Sequence, residues 1–240
     1  MKIIKNEKLI KRNGKIGEYA SLAGIIIIAI PAIYAVQQMF QGNVENANTN
    51  ILFIPIIVGM ILSQIGMHFG SRFGRSPRPD EALDAGLKGL PGDFTMYHYT
   101  TPVSHLLVGP AGIWVILMNR QNGKATFEKN RWKMNGGGFM QGYMRLFGQE
   151  NIGRPDAEAD SDVKSLQKEF AKHMDSEAIP PISAALVFMG ADVELDVEQS
   201  PMPAMKIKQL KDFMRQKSKE RGGLNPEYLA KIKSILPQEE

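Results

Sequence analysis

Cysteine is absent from all 240 residues, so no disulfide framework organises this chain, and the absence fits a reducing compartment. Net charge is nearly absent once the N-terminus is set aside. The first eighteen residues hold six Lys/Arg (Lys2, Lys5, Lys8, Lys11, Arg12, Lys15) against Glu7 and Glu18, a balance of +4 that equals the formal charge of the whole protein. A neutral remainder argues against a strongly basic nucleic-acid surface, because counterion release from phosphates needs clustered Lys/Arg. Internal repeats are absent as well. No acidic residue occurs between Phe94 and Leu117.

Charge is also missing from two long stretches, and here the absence identifies what is present. Tyr19 to Phe40 and Ile51 to Phe69 carry no Asp, Glu, Lys or Arg. A helix rising about 1.5 Å per residue needs roughly 20 apolar residues to cross a hydrocarbon core of about 30 Å, so both are predicted to span a membrane. The intervening Gln41 to Asn50 has only Glu45 as a charge, whereas Arg72, Arg75 and Arg78 follow the second span and the basic run precedes the first. By the positive-inside rule both termini are expected in the cytoplasm of a multi-pass cell-membrane protein, with the lipid bilayer as its first partner. A cleaved signal peptide is the competing account of the first segment. Against it, the apolar stretch exceeds about 7–15 residues and no A-x-A-like site follows. Pro31 and Pro55 read as kinks, and anchoring outweighs transport through Gln37, Gln38, Ser63, Gln64 and His68, since two helices enclose no pathway. The Gly66/Gly70 and Gly59/Ser63 pairs allow close helix approach, either within the hairpin or between protomers of a homo-oligomer.

The expected organisation is therefore a basic cytoplasmic N-terminus (1–18), a transmembrane hairpin (19–70), a linker rich in Arg and Pro (71–79), and one soluble domain (80–236). In that domain Leu83, Leu87 and Leu90 predict an amphipathic helix from Asp80 to Leu90. Phe94 to Thr101, Ser104 to Val108 and Ile113 to Met118 read as strands, the last two joined by a turn at Gly109 to Gly112. Ala125 to Lys129 and Arg131 to Met134 form a further pair around Asn130. Asp156 to Met174 reads as a helix, Ile182 to Met189 as a core strand and Asp192 to Glu198 as a short strand. Helices are expected at Met205 to Lys219 and Pro226 to Leu236, the latter capped by Asn225. The Gly-rich segment 135–155 lacks the Lys-Ser/Thr that a phosphate cradle needs, so it reads as a surface loop. The acidic residues of 192–198 read as a solvated face rather than a metal site. Trp114 and Trp132 are expected in the core rather than stacked on bases.

The run Ser104 to Asn119, with His105, the Gly-Pro-x-Gly turn and then Gly123 and Trp132, resembles the nuclease-related domain family over roughly Asp80 to Arg215. The resemblance implies an α/β restriction-endonuclease-like domain with a mixed central sheet flanked by helices. In that family the residue before the His is Asp, the strand after the turn ends in Glu-x-Lys, and an earlier acidic residue lies in the first helix. Two carboxylates hold Mg²⁺ while the lysine steadies the reacting phosphate. On this chain the helix acid matches Glu81, but the other positions are Ser104, Leu117 and Asn119. A hydroxyl, an aliphatic chain and an amide cannot neutralise a divalent cation, so neither metal nor other cofactor is expected.

The resemblance with these departures implies a pseudoenzyme that acts as a binding or scaffolding module for protein partners, with at most weak nucleic-acid binding. The alternative is a Mg²⁺-dependent nuclease with a rearranged site, which requires Glu81, Asp84 or Glu128 to approach Ser104 and Asn119. His105 reads as structural, with nothing nearby in sequence to orient it. Ser104 and His105 cannot form a nucleophile–base pair, because adjacent strand residues point to opposite faces.

Overall fold

The computed structural model describes residues 1–41, 50–135, 152–220 and 225–238. The expected outer loop at 41–50 and the Gly-rich segment 135–155 therefore lie mostly outside the described residues. The chain divides into two compact units: Glu7–Arg78, and Met1–Asn6 together with Pro79–Glu240.

The first unit is a helical hairpin. Helix α1 (Glu7–Phe40) and α2 (Asn50–Phe69) are long and apolar enough to cross a membrane, and α2 passes into a π-helical turn at Gly70–Gly74. Both helices continue through their prolines, Pro31 and Pro55. Buried positions on α1 fall at Ile10, Asn13, Gly17, Gly24 and Pro31, all but Asn13 seven residues apart, which is the seam spacing of helices wound closely together. The glycines are what permit the approach. A Cβ on Gly24 would lie 2.8 Å from the Gly59 carbonyl oxygen, and one on Gly66 would lie 2.5 Å from the Ser21 nitrogen. The small residues of α2 are thus used inside the hairpin. The outward faces are apolar, with Ile33 and Ile54 each 67% exposed.

The second unit is a mixed α/β domain. A six-stranded sheet runs in the order β1 (Lys2–Lys5), β2 (Thr95–His98), β3 (His105–Gly109), β4 (Gly112–Asn119), β7 (Ile182–Phe188), β9 (Ala204–Lys206). Strands β2, β3 and β4 form an antiparallel meander. Strand β7 lies parallel to β4, and β1 and β9 add parallel edges. A smaller sheet orders β6 (Arg131–Asn135), β5 (Gly123–Glu128) and β8 (Val193–Asp196). Lys129 and Asn130 both have positive φ at the β5–β6 turn, the backbone that a two-residue hairpin loop of this hand requires.

Helices cover both faces of the large sheet, which is why β4 reads as an unbroken apolar run. On one face α3 (Pro79–Gly86) and α5 (Ile207–Glu220) set Leu83, Leu210 and Met214 against Met96, Leu107, Trp114 and Ile116. On the other, α4 (Pro155–Phe170), α6 (Pro226–Ile235) and the small sheet set Phe170, Ile232 and Phe127 against Leu106, Val115 and Leu186. Asn225 caps α6 as expected, accepting from the Glu227 nitrogen at 3.0 Å.

Three features differ from the sequence expectations. Residues Lys2–Lys5, read as part of a basic tail, are strand β1 paired to β2, with Ile4 only 5% exposed. Only two of the four are apolar, and the partner lies some ninety residues on, so no local periodicity reveals the strand. Helix α3 stops at Gly86, and Leu87 and Leu90 are buried through turns that end at Gly89, whose φ is 88°. Strand β9 takes Ala204–Lys206, including Met205 from the start of the expected helix.

Candidate functional site

The most strongly polar place in the core lies between α3 and strands β1, β2 and β3. His98 and His105 sit directly opposite each other in the antiparallel register of β2 and β3, on the face that α3 covers. Their Nδ1 atoms are 2.8 Å apart, and the residues are 0% and 3% exposed. The His98 Nε2 lies 3.1 Å from Asp84 Oδ1. Asp84 Oδ2 meets the Lys5 ammonium, which also donates to Asp80 Oδ2 at 3.3 Å. The Tyr99 ring packs edge-on against His105 with centroids 4.9 Å apart, and Tyr99 itself has a φ of 57° in the closing loop.

Proton positions follow from the partners. A carboxylate only accepts, so the His98 Nε2 carries a hydrogen and donates it to Asp84. In neutral His98 the Nδ1 is then bare and accepts from the His105 Nδ1–H. Burial works against the Lys5 charge, but the hydrogen bond and charge of Asp84, with Asp80 beside it, outweigh burial and hold Lys5 above its ordinary range. Nearby, burial pushes the Tyr97 phenol up to about 12.

Chemically this arrangement ties structure together. It joins the strand just before the hairpin helices to the helix just after them, through Lys5, Asp80 and Asp84, and pins both to β2 and β3. Near-complete burial of His98 and His105 keeps the pair from serving as an exposed acid–base site. His105 is therefore not without orienting groups: His98 and Tyr99 supply them, from the strand and turn that precede it.

Of the positions that the resemblance singled out, Leu117 faces away from this pair. Leu117 is 7% exposed and packs with Val115 and Leu186 on the opposite face of the sheet. The Asn119 Oδ1 accepts from the Gln121 nitrogen at 2.8 Å, and its carbonyl accepts from the Met189 nitrogen at 2.8 Å. Ser104 is half-buried in the β2–β3 loop, its carbonyl accepting from the Tyr99 nitrogen at 2.9 Å. Glu81 lies in the first turn of α3. Of the acids that a rearranged site requires, Asp84 is held by Lys5 and His98, and Glu128 is an exposed residue of the small sheet 3.6 Å from Lys133. Among the described residues no group of three or more His, Asp or Glu is gathered to hold a metal ion.

Both tryptophans are buried. The Trp114 indole donates to the Ala111 carbonyl at 3.0 Å, and Trp132 packs edge-on against Phe127. The acidic stretch of β8 is exposed, with Asp196 3.1 Å from Lys124. What the sequence reading missed was His98, Tyr99 and Lys5. His98 and His105 flank a loop, and Asp80 and Asp84 are spaced for one helix face, which is a usable signal. Lys5 offered none. No protein-family profile, curated protein or solved structure matches the chain.

Proposed function

We propose that the chain is an integral membrane protein whose helical hairpin anchors a non-catalytic, nuclease-like α/β domain, which serves on the cytoplasmic face as a binding or scaffolding module. Membrane insertion is supported by the outward apolar faces of α1 and α2, a surface far larger than water tolerates on a folded protein. Orientation rests on the basic residues at the outer ends of both helices. Kinship with nuclease-related domains is supported by element order: α3, the antiparallel β2–β3–β4 meander, α4, then β7 parallel beside β4.

The observation that carries the loss of catalysis is Leu117. At the strand position where the family plan needs a carboxylate, an aliphatic side chain is packed into the core, and Asn119 beyond it is engaged by the backbone. Neither can supply charge to a cation or a phosphate. The test is a Mg²⁺- and Mn²⁺-dependent cleavage assay on the detergent-purified full chain, using single- and double-stranded DNA and RNA. Cleavage no faster than that of a Glu81→Ala control supports the reading. Cleavage abolished by Glu81→Ala establishes the nuclease alternative.

A further inference from the structure

Lys8, Lys11, Arg12 and Lys15 recur at i, i+3, i+4 and i+7 on α1, so at 100° per residue they fall within about 100° of the helix circumference. All four are exposed. The buried positions of the same turns, Ile10, Asn13 and Gly17, lie on the opposite side, where Gly17 approaches Gly70 of the second arm. Glu7 and Glu18 stand to one flank, with Glu7 3.4 Å from Lys11. The stripe is thus a face, not merely a basic sequence run. Lys2 and Lys5, which the sequence counts with it, belong instead to β1.

The stripe rises about 10 Å along the helix from Lys8 to Lys15, comparable to the headgroup layer beyond a hydrocarbon core of about 30 Å. It ends four residues before the uncharged span begins at Tyr19. On the other arm, exposed Arg72 lies in the π-helical turn at the same end. A Cβ on Gly14 would lie 3.2 Å from the Phe73 carbonyl oxygen, so that turn abuts the stretch of α1 bearing the stripe.

We propose that this collar binds anionic phospholipid headgroups of the leaflet into which the hairpin is inserted, with Lys8, Lys11, Arg12, Lys15 and Arg72 as the recognising groups. The inference rests on the membrane reading above and adds a lipid class to it. Juxtamembrane clusters of this size attract anionic lipid through charge, an attraction that fades within a Debye length. A lipid phosphate fits the site better than a nucleic-acid backbone, because the stripe adjoins an apolar span that holds it at headgroup depth.

The test uses the full chain reconstituted in phosphatidylcholine bilayers doped with spin-labelled phosphatidylglycerol or spin-labelled phosphatidylcholine. Electron paramagnetic resonance reads the motionally restricted, protein-bound fraction of each. The expected preference for the anionic probe is about 5-fold. It should fall below about 1.5-fold in Lys8→Gln/Lys11→Gln/Arg12→Gln/Lys15→Gln/Arg72→Gln and in 1 M salt, and persist in Lys8→Arg/Lys11→Arg/Lys15→Arg. Equal restriction of both probes by the unaltered chain overturns the lipid preference while leaving the anchor intact. No restricted component with either probe overturns the anchor itself. Capture of a labelled DNA duplex in phosphatidylcholine bilayers, lost in the Gln variant, would reassign the stripe to nucleic acid.

Discussion

Replacing Asp84 by alanine tests the buried tie most sharply, because the aspartate holds two partners at once. The substitution leaves the His98 Nε2–H, in a residue 0% exposed, without its acceptor. A buried donor left unpaired costs about 1–3 kcal/mol. It also removes the carboxylate against Lys5, leaving Asp80 as that ammonium's other partner. Lys5 and Asp84 side chains are each 20% exposed, so this adds something nearer the surface-pair value of about 1 kcal/mol. The sum is roughly 2–4 kcal/mol, or about 5–12 °C in midpoint for a domain of this size. Asp84→Asn keeps an oxygen for His98 and loses only charge, so roughly 1 kcal/mol is expected. The protein has two tryptophans, Trp114 and Trp132, both in the core of the α/β domain, so intrinsic fluorescence during thermal melting of the full chain in detergent reports that domain. If Asp84→Ala and Asp84→Asn melt together within 0.5 °C of the unaltered protein, the tie contributes nothing and the reasoning is wrong.

Alkaline pH gives a second handle. Tyr97 has its folded-state value raised from 10.0 to about 12 by burial, so between those values the unfolded chain has released a proton that the fold retains, and stability falls as pH rises. Lys5, also raised, acts in the same direction above its ordinary value of 10.5. Denaturant titrations at pH 10 and pH 11 should differ by about 1 kcal/mol more for the unaltered chain than for Tyr97→Phe, and equal differences contradict the burial argument. In the hairpin, Gly66→Leu places a side chain where even a Cβ would lie 2.5 Å from the Ser21 nitrogen. The distance between spin labels on Leu22→Cys and Ile61→Cys, both exposed positions away from the seam, should lengthen in the Gly66→Leu chain; an unchanged distance would show that the helices meet elsewhere. Deleting residues 2–5 should expose the edge of β2 and lower the fluorescence-detected midpoint by several degrees, since Ile4 is buried and Lys5 holds Asp80 and Asp84. No change in midpoint would mean that β1 is dispensable.

How far the sequence could be read depended on whether the relevant physics was local. The two long apolar helices were legible because uncharged runs of that length stand out in any sequence, and β4 and β7 because strands buried on both faces are continuously apolar. Asn225 and the Lys129–Asn130 turn announce themselves through capping and loop chemistry. Strand β1 did not, since its reason for pairing is the open edge of β2 across the whole hairpin. The same holds for Lys5, whose partners Asp80 and Asp84 become neighbours only when that edge is filled. His98 was passed over because its signal, a second histidine across the loop from His105, has meaning only once the two strands are read as one antiparallel pair in register. The positions singled out by the resemblance could be named from sequence, but only packing reveals that Leu117 and His105 face opposite sides of the sheet.

In the proposed non-catalytic reading, Glu81, Ser104, Leu117 and Asn119 do not together hold a divalent cation. Titration of the full chain with Mn²⁺, followed by the loss of the free-ion paramagnetic signal, decides the point. No saturable site that Glu81→Ala weakens is expected. One bound equivalent of Mn²⁺ that Glu81→Ala removes would sink that reading.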